Sequence, residues 1–248
     1  MKRIPSTELL DTDFGTPAEI AASLADLRMI NRWFGGVATT VELTERVAQI
    51  DETQPHAGTG NDGGEAGVSA RRARDTSVSP RALSVLEVAA GSGYVQRVAK
   101  QRLAHQGIQL ELTLLDRAAT HIGNGGRSVV ADALTLPFGE NSFDLVSSAL
   151  FAHHLCPEEL IRFVNESLRV CRKAVLINDL IRSPIHLALV YSGFPLYRSR
   201  LTRNDAPASV RQAYTQDEMQ DILRRTNAAR VQIDSYYLYR MGVIAWKS

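Results

Sequence analysis

The chain has 248 residues, 44% hydrophobic and 22% charged, which fits a soluble globular protein and excludes disordered and fibrous classes. Lys and Arg total 28 against 27 for Asp and Glu, so no overall positive field gathers nucleic acid or an anionic membrane. Cys156 and Cys171 form no Cys-x-x-Cys pair for zinc, and no run nears the roughly 20 apolar residues of a membrane span. The expectation is a cytoplasmic protein without a signal peptide, membrane insertion or a nucleic-acid partner.

Thr16-Pro17-Ala18-Glu19 combines a capping hydroxyl, a proline at the first helical position and a glutamate at the third, which predicts a helix start. Ile20, Leu24, Leu27, Ile30 and Phe34 recur at helical spacing until Gly35-Gly36, and a second helix follows from Val37 to Ile50. Residues 1–50 therefore read as a helical arm or lid. Residues 51–80 are rich in Gly, Ser, Thr, Asn and Asp and read as a flexible linker; the basic run Arg71, Arg72, Arg74 falls inside it as solvated charge.

From residue 81 to 248 apolar strands alternate with helices. Strands are expected at Ser84 to Ala89, Gln109 to Leu115, Ser128 to Ala131, Phe143 to Ser148 and Ala174 to Asn178, with helices at Tyr94 to Gln106 and Pro157 to Arg172. Strands separated by helices imply parallel crossover units, hence an α/β doubly wound sheet. A long apolar helix is expected from Ser183-Pro184 to Tyr197, then an irregular stretch Arg198 to Tyr214, so that 183–214 forms a lid insertion. A further helix starts near Thr215, and Arg230 to Tyr237 with Leu238 to Trp246 closes the sheet as an antiparallel hairpin.

The chemistry concentrates in Leu83-Ser84-Val85-Leu86-Glu87-Val88-Ala89-Ala90-Gly91-Ser92-Gly93-Tyr94, an apolar strand whose end carries a carboxylate and feeds a helix through a glycine-containing turn. In open parallel sheets ligands sit at the carboxyl ends of the strands. A dinucleotide fingerprint requires a third glycine where Gln96 stands, and Glu87 would repel a pyrophosphate, whereas a cationic sulfonium with a free amino group suits it. Asp116 ends the second strand, placed to accept from both hydroxyls of an unphosphorylated ribose. Asp132, after the third strand and followed by Ala133 and Leu134, can accept from an adenine amine.

These residues resemble the class I S-adenosylmethionine (SAM) dependent methyltransferase superfamily over roughly Arg81 to Ser248: Glu-x-Ala-x-Gly-x-Gly at Glu87 to Gly93, Asp116, Asp132-Ala133, and Phe143-Asp144-Leu145-Val146. The resemblance implies a Rossmann-like seven-stranded sheet and SAM as cofactor. The candidate cofactor residues are Glu87, Ala89, Gly91, Gly93, Asp116, Arg117, Asp132, Ala133, Ser148 and Arg32. Ala89 stands where the family usually has its first glycine. The chain is most similar to the small-molecule branch acting on quinols, phenols and polyketides, on the strength of Phe143 to Val146, His153-His154-Leu155, and Asn204 to Pro207.

Methyl transfer is an in-line displacement at an activated carbon, so a protein supplies orientation and, for a phenol, a base. His154 and His153 are the candidates, with His154 preferred; capping of the helix at Pro157 is the structural alternative. Arg28 or Arg32 could pair with the cofactor carboxylate, Arg28 more simply reading as solvated. Asp144 reads as a structural anchor, His105, His121 and His186 receive no role, and no two-histidine-one-carboxylate cluster is visible, so no metal is expected. The expected function is O-methylation of a small phenolic or quinol molecule. C-methylation, a non-catalytic SAM-binding protein and an NAD-dependent oxidoreductase are the alternatives, and a homodimer is left open.

Overall fold

The computed structural model describes residues 1–10, 15–53, 82–119 and 126–248, excluding the side chains of 51–53. The expected linker falls largely outside these residues, as does His121. Two helices come first, α1 (Pro17–Trp33) and α2 (Gly36–Thr53). Thr16 caps α1 with the reciprocal Thr16–Glu19 capping box that the sequence predicts.

The sheet then builds through β1 (Leu83–Val88), α3 (Tyr94–Ala104), β2 (Leu110–Asp116), β3 (Arg127–Val130), β4 (Phe143–Ala149), α4 (Pro157–Val170) and β5 (Cys171–Leu180). The roof helices α5 (Pro184–Ser192) and α6 (Arg200–Gln212) follow, then α7 (Gln216–Leu223) and the hairpin β6 (Arg230–Tyr236) and β7 (Arg240–Trp246). The seven strands run in the order β3-β2-β1-β4-β5-β7-β6. β1 to β5 pair in parallel, and β7 pairs antiparallel with both β5 and β6. Strand order reverses between β1 and β4, so the carboxyl ends of β1, β2 and β4 open a crevice there.

Both sheet faces are covered, as runs of consecutive apolar residues require. Leu86, Val88, Val146 and Ile177 pack with Leu160, Phe163 and Val164 of α4 and Met219 of α7. On the other face Val85, Leu145 and Leu176 pack with Ala99 and Leu103 of α3 and with Val37, Leu43 and Val47 of α2. Thus α2 is a layer of the sheet domain, pinned by Asn178 of β5, whose amide donates to the Gly36 carbonyl at 2.6 Å and to Thr40 Oγ1 at 2.8 Å. Asp144 anchors β4 as expected, accepting from the Ser84 amide and from Arg172 Nε, both at 2.8 Å.

The stretch Arg198 to Tyr214 is mostly helical, not irregular. Ser199 caps α6, whose Leu201, Thr202, Asp205 and Val210 are buried although Pro207 lies inside the helix. A proline within a helix costs about 3 kcal/mol, so tertiary burial outweighs local preference here. The apolar segment before it divides: α5 ends at Gly193, and a single 3-10 turn covers Phe194–Leu196.

Residues 1–10 cross the roof as a strap. The Ile4 amide donates to the Arg211 carbonyl at 3.1 Å, Arg3 Nε to the Gln212 carbonyl at 2.7 Å, and the Leu9 and Leu10 amides to the carboxylate of Asp205. α1 adjoins α6 through Ser23 and Thr202, whose hydroxyls lie 3.1 Å apart, and through Asp26, which accepts from the Arg198 and Ser199 amides.

Phe163 of α4 is wholly buried and meets Phe151 edge to face at 5.3 Å, supporting the turn after β4 from below. Phe163→Ala should lower the unfolding free energy by about 3–5 kcal/mol, read as the midpoint shift in urea denaturation.

Candidate active site

The β1–α3 turn is shaped by its backbone. Ala89, Gly91 and Gly93 all have positive φ, +54°, +49° and +67°. Gly93 caps α3, and a Cβ there would stand 2.6 Å from Leu114 Cδ1, so only glycine fits. At Gly91 a Cβ would meet nothing within 4 Å. The turn therefore leaves open space over its backbone for a ligand. Ala89 takes a left-handed conformation that glycine adopts without strain and that costs an L-residue about 1–2 kcal/mol.

Glu87 is 3% exposed, and Gln96 Nε2 donates to its Oε2 at 2.7 Å and to Ser147 Oγ at 2.7 Å. Gln96, the residue in place of a third glycine, thus acts as a clamp on the Glu87 carboxyl. Burial pushes that carboxyl up to about 7, outweighing the hydrogen bonds from Ser147 and Gln96 that pull the other way.

Asp116 closes β2 with Oδ2 accepting from the Gly91 amide at 2.8 Å and Oδ1 from the Ala118 amide at 3.0 Å. One bond per oxygen fixes the carboxylate and leaves each oxygen acceptor capacity for a diol. Asp132 is exposed and fixed by the Leu134 amide on Oδ1 at 2.9 Å. The β1–α3 turn, Asp116, Arg117, Asp132 and Ala133 line one end of a single cavity of about 980 Å³. The arrangement fits an adenosyl ligand: an open turn, a fixed carboxylate for the ribose and a second acid beyond it.

Two expected cofactor residues do not line this cavity. Ser148 is buried on β4 with its Oγ unpartnered among the described residues, on the strand alternation opposite to Ser147. Arg32 is exposed and lies over the Trp33 ring at 5.4 Å. Arg28, one turn earlier on α1, stands at the cavity wall instead.

The other end of the cavity is apolar, with Leu24, Leu27 and Ile30 from α1, Leu189 and Val190 from α5, and Tyr197. His153 and His154 reach it from the turn after β4, their rings 4.2 Å apart. His153 is 2% exposed, with Nδ1 at 2.6 Å from Asp179 Oδ1 and Nε2 at 3.5 Å from Glu8 Oε1. Burial disfavours its charged form, but Asp179 and Glu8 prevail and raise its pKa well above the ordinary imidazole value. The side chain of His154 is 22% exposed, with Nε2 4.0 Å from Glu8 Oε1.

Sequence spacing gives no hint of Glu8, which belongs to the strap. Its Oε1 accepts from Ser209 Oγ at 2.5 Å and Gln212 Nε2 at 2.8 Å. Glu8, His153 and His154 place one ligand-type atom each within 4.8 Å of one another. The expectation that no two-histidine-one-carboxylate cluster exists is thereby corrected. Within it His153 is held from its other side, Nδ1 lying 2.6 Å from Asp179 Oδ1, while its Nε2 faces Glu8 Oε1 at 3.5 Å without a hydrogen bond. Arg240, also unassigned in the sequence reading, contributes to the cavity wall from the start of β7.

Residues 86–177 match the family model described as a methyltransferase domain. Among solved structures, the chain is similar to the CMeT domain of the citrinin polyketide synthase, with TM-score 0.50 and 14% identity over 67% of this chain and 47% of that one. It is also similar to a SAM-dependent methyltransferase from Aquifex aeolicus, with TM-score 0.48 and 16% identity over 67% and 82%. A third is magnesium protoporphyrin IX methyltransferase from Synechocystis PCC 6803, with TM-score 0.48 and 13% identity over 88% and 87%. The chain spans about half the length of the polyketide synthase domain it matches. At 14% identity the likeness to the polyketide synthase domain speaks for the fold alone. No curated protein matches the sequence.

Two outcomes follow from the turn. The Glu87 carboxyl ionises near 4.5 in the unfolded chain and near 7 in the folded one, so between these values only the unfolded chain gives up its proton. The cofactor-free protein should lose on the order of 3 kcal/mol of stability from pH 4.5 to 7 on this account, and Glu87→Gln should flatten the profile when urea midpoints are measured across that range. Ala89→Gly should raise stability by about 0.5–1 kcal/mol, the relieved strain exceeding the extra unfolded-state entropy of glycine, read from the thermal midpoint.

Proposed function

We propose that the protein is a class I SAM-dependent methyltransferase, as the match of residues 86–177 to a methyltransferase domain supports, and that it methylates a hydroxyl of a small, largely apolar molecule such as a phenol or quinol. The observation that carries this reading is the single cavity that joins the acid-bearing strand ends to an apolar chamber with an imidazole at its wall. Its volume of about 980 Å³ is at the upper end of small-molecule sites, about 300–1,000 Å³, which suits a cofactor and one modest acceptor together.

Bound SAM supplies an activated methyl group on a sulfonium. The residues of this chain hold and orient. Asp116 would accept from ribose hydroxyls and Asp132 from the adenine amine, while Glu87, at the β1 end, offers negative charge to the cationic end of the cofactor. Each acid is already fixed by an amide hydrogen bond, which reduces the ordering that binding requires. The apolar residues of α1 and α5 exclude water from the acceptor and favour a flat or aliphatic body.

His154 is the group proposed to take the acceptor proton. His153, its Nδ1 held by Asp179 and its pKa raised by Asp179 and Glu8, is the cationic group proposed to position its neighbour. The roof of the chamber comes from the strap, α1, α5 and α6, which supports a small-molecule acceptor. No described helix is long and apolar enough to cross a membrane.

Incubation with methyl-labelled SAM and a metabolite extract, followed by mass and position of the label, tests the reading: a labelled methoxy group is expected, and label only on RNA or protein would overturn it. His154→Ala should lower kcat by about 10²- to 10⁴-fold with little change in SAM affinity, measured by steady-state kinetics and calorimetry.

A further inference from the structure

Arg240 is 1% exposed and is the largest side chain wholly inside the fold. Its Nε donates to the Phe34 carbonyl at 3.3 Å and its Nη2 to Asn31 Oδ1 at 3.0 Å, while Nη1 has no partner among the described residues. Both acceptors are neutral. Phe34 is the C-cap of α1, so the Nε bond is explained as helix capping; the Nη1 atom is not.

Among the described residues Asp179 is the acid whose charge acts on Arg240, yet its two oxygens are taken by His153 and by backbone amides. A buried guanidinium without a carboxylate of its own is among the costlier arrangements in a protein, and such groups concentrate at binding sites. Burial lowers the pKa of Arg240 to about 10, which leaves it charged at neutral pH. The side chain stands in the cavity wall beside Asn31, and His186, also in that wall, has its pKa lowered by burial and by the charge of Arg240.

We propose that Arg240 is the carboxylate anchor of this cavity, its Nη1 donating to an anionic oxygen of a bound ligand. Two ligands can bring that oxygen: the amino-acid end of the cofactor, or a carboxyl group on the acceptor, which would narrow the acceptor to hydroxylated carboxylic acids. The inference rests on reading the cavity as the methyl-transfer site. Arg28 also lines the cavity but is exposed, so water already solvates its charge. A desolvated guanidinium with a free N–H gains more from a carboxylate than a hydrated one does.

Calorimetry on the full chain separates the sources. The first pair of probes is S-adenosylhomocysteine and 5′-methylthioadenosine, which lacks the carboxylate. The second is 4-hydroxybenzoate and phenol, each with saturating S-adenosylhomocysteine. At least a tenfold preference for the carboxylate member of one pair is expected, falling to less than threefold in Arg240→Gln and persisting in Arg28→Ala. The pair that responds identifies the source. Equal binding within both pairs, a preference that survives in folded R240Q, or one lost in R28A overturns the proposal. Should R240Q fail to fold, R240K replaces it, with the same loss expected because lysine lacks the forked donor. Failure of both nucleosides to bind would instead refute the methyl-transfer reading.

Discussion

His153 joins three stretches of chain that are remote in sequence: its own turn after β4, the end of β5 through Asp179, and the strap through Glu8. A neutral ring could satisfy only one of those carboxylates as a donor. With a proton on each nitrogen it faces both, and two buried acids that would otherwise repel one another are held in place. The strap can then lie across the roof, where Glu8 accepts from Ser209 and Gln212 and Arg3 donates to the His153 and Leu155 carbonyls. The charged contact thus joins the backbone and side-chain hydrogen bonds of Arg3, Ile4, Leu9 and Leu10 in holding the strap over the acceptor chamber.

The opposite end of the cavity shows a second tension between folding and binding. Glu87 lies buried where its charge is disfavoured, and Ala89 holds a backbone conformation that suits glycine. Neither feature helps the fold. Both lie at the turn where a ligand would approach, and the residues around them, Gln96, Ser147 and the Gly91 amide, are already committed to holding the acids in position. Local strain and an unfavourably buried acid at a strand end are what a site prepared for a cationic ligand would show.

Much of the sheet was legible in the sequence because parallel strands buried on both faces are written as uninterrupted apolar runs. β1, β2 and β4 fall within a residue or two of expectation, and so does the final hairpin. β5 begins three residues before expectation, at Cys171, where the helix was expected to run on to Arg172, and extends two residues further through Asp179 and Leu180, Asp179 being buried against His153 rather than ending the strand. α6 was not legible: Pro207 and a run of polar residues hide a helix that forms only because its buried face meets the strap and α1. Among the site residues, those fixed by the strand ends could be placed, since topology alone locates strand ends. Choosing between Arg28 and Arg32 depends on how α1 sits over the cavity, which spacing does not give. Glu8 carries no local signal at all. Arg240 did leave one, a charge opening an otherwise apolar strand.

The roof also has a place in the order of folding. Its hydrogen bonds tie the first ten residues and α1 to α6 and to Arg198 just before it, across sequence separations from 172 to 209 residues. The sheet, by contrast, grows through neighbouring crossover units. Contacts of such long range gain little until the chain between them is already ordered, so the chamber closes after the sheet has formed. The same separation makes the roof a unit that can detach while the sheet persists, with a free energy of opening smaller than that of global unfolding. Detachment of the roof would widen the mouth of the acceptor chamber at a cost set by the least stable part of the molecule rather than by its core.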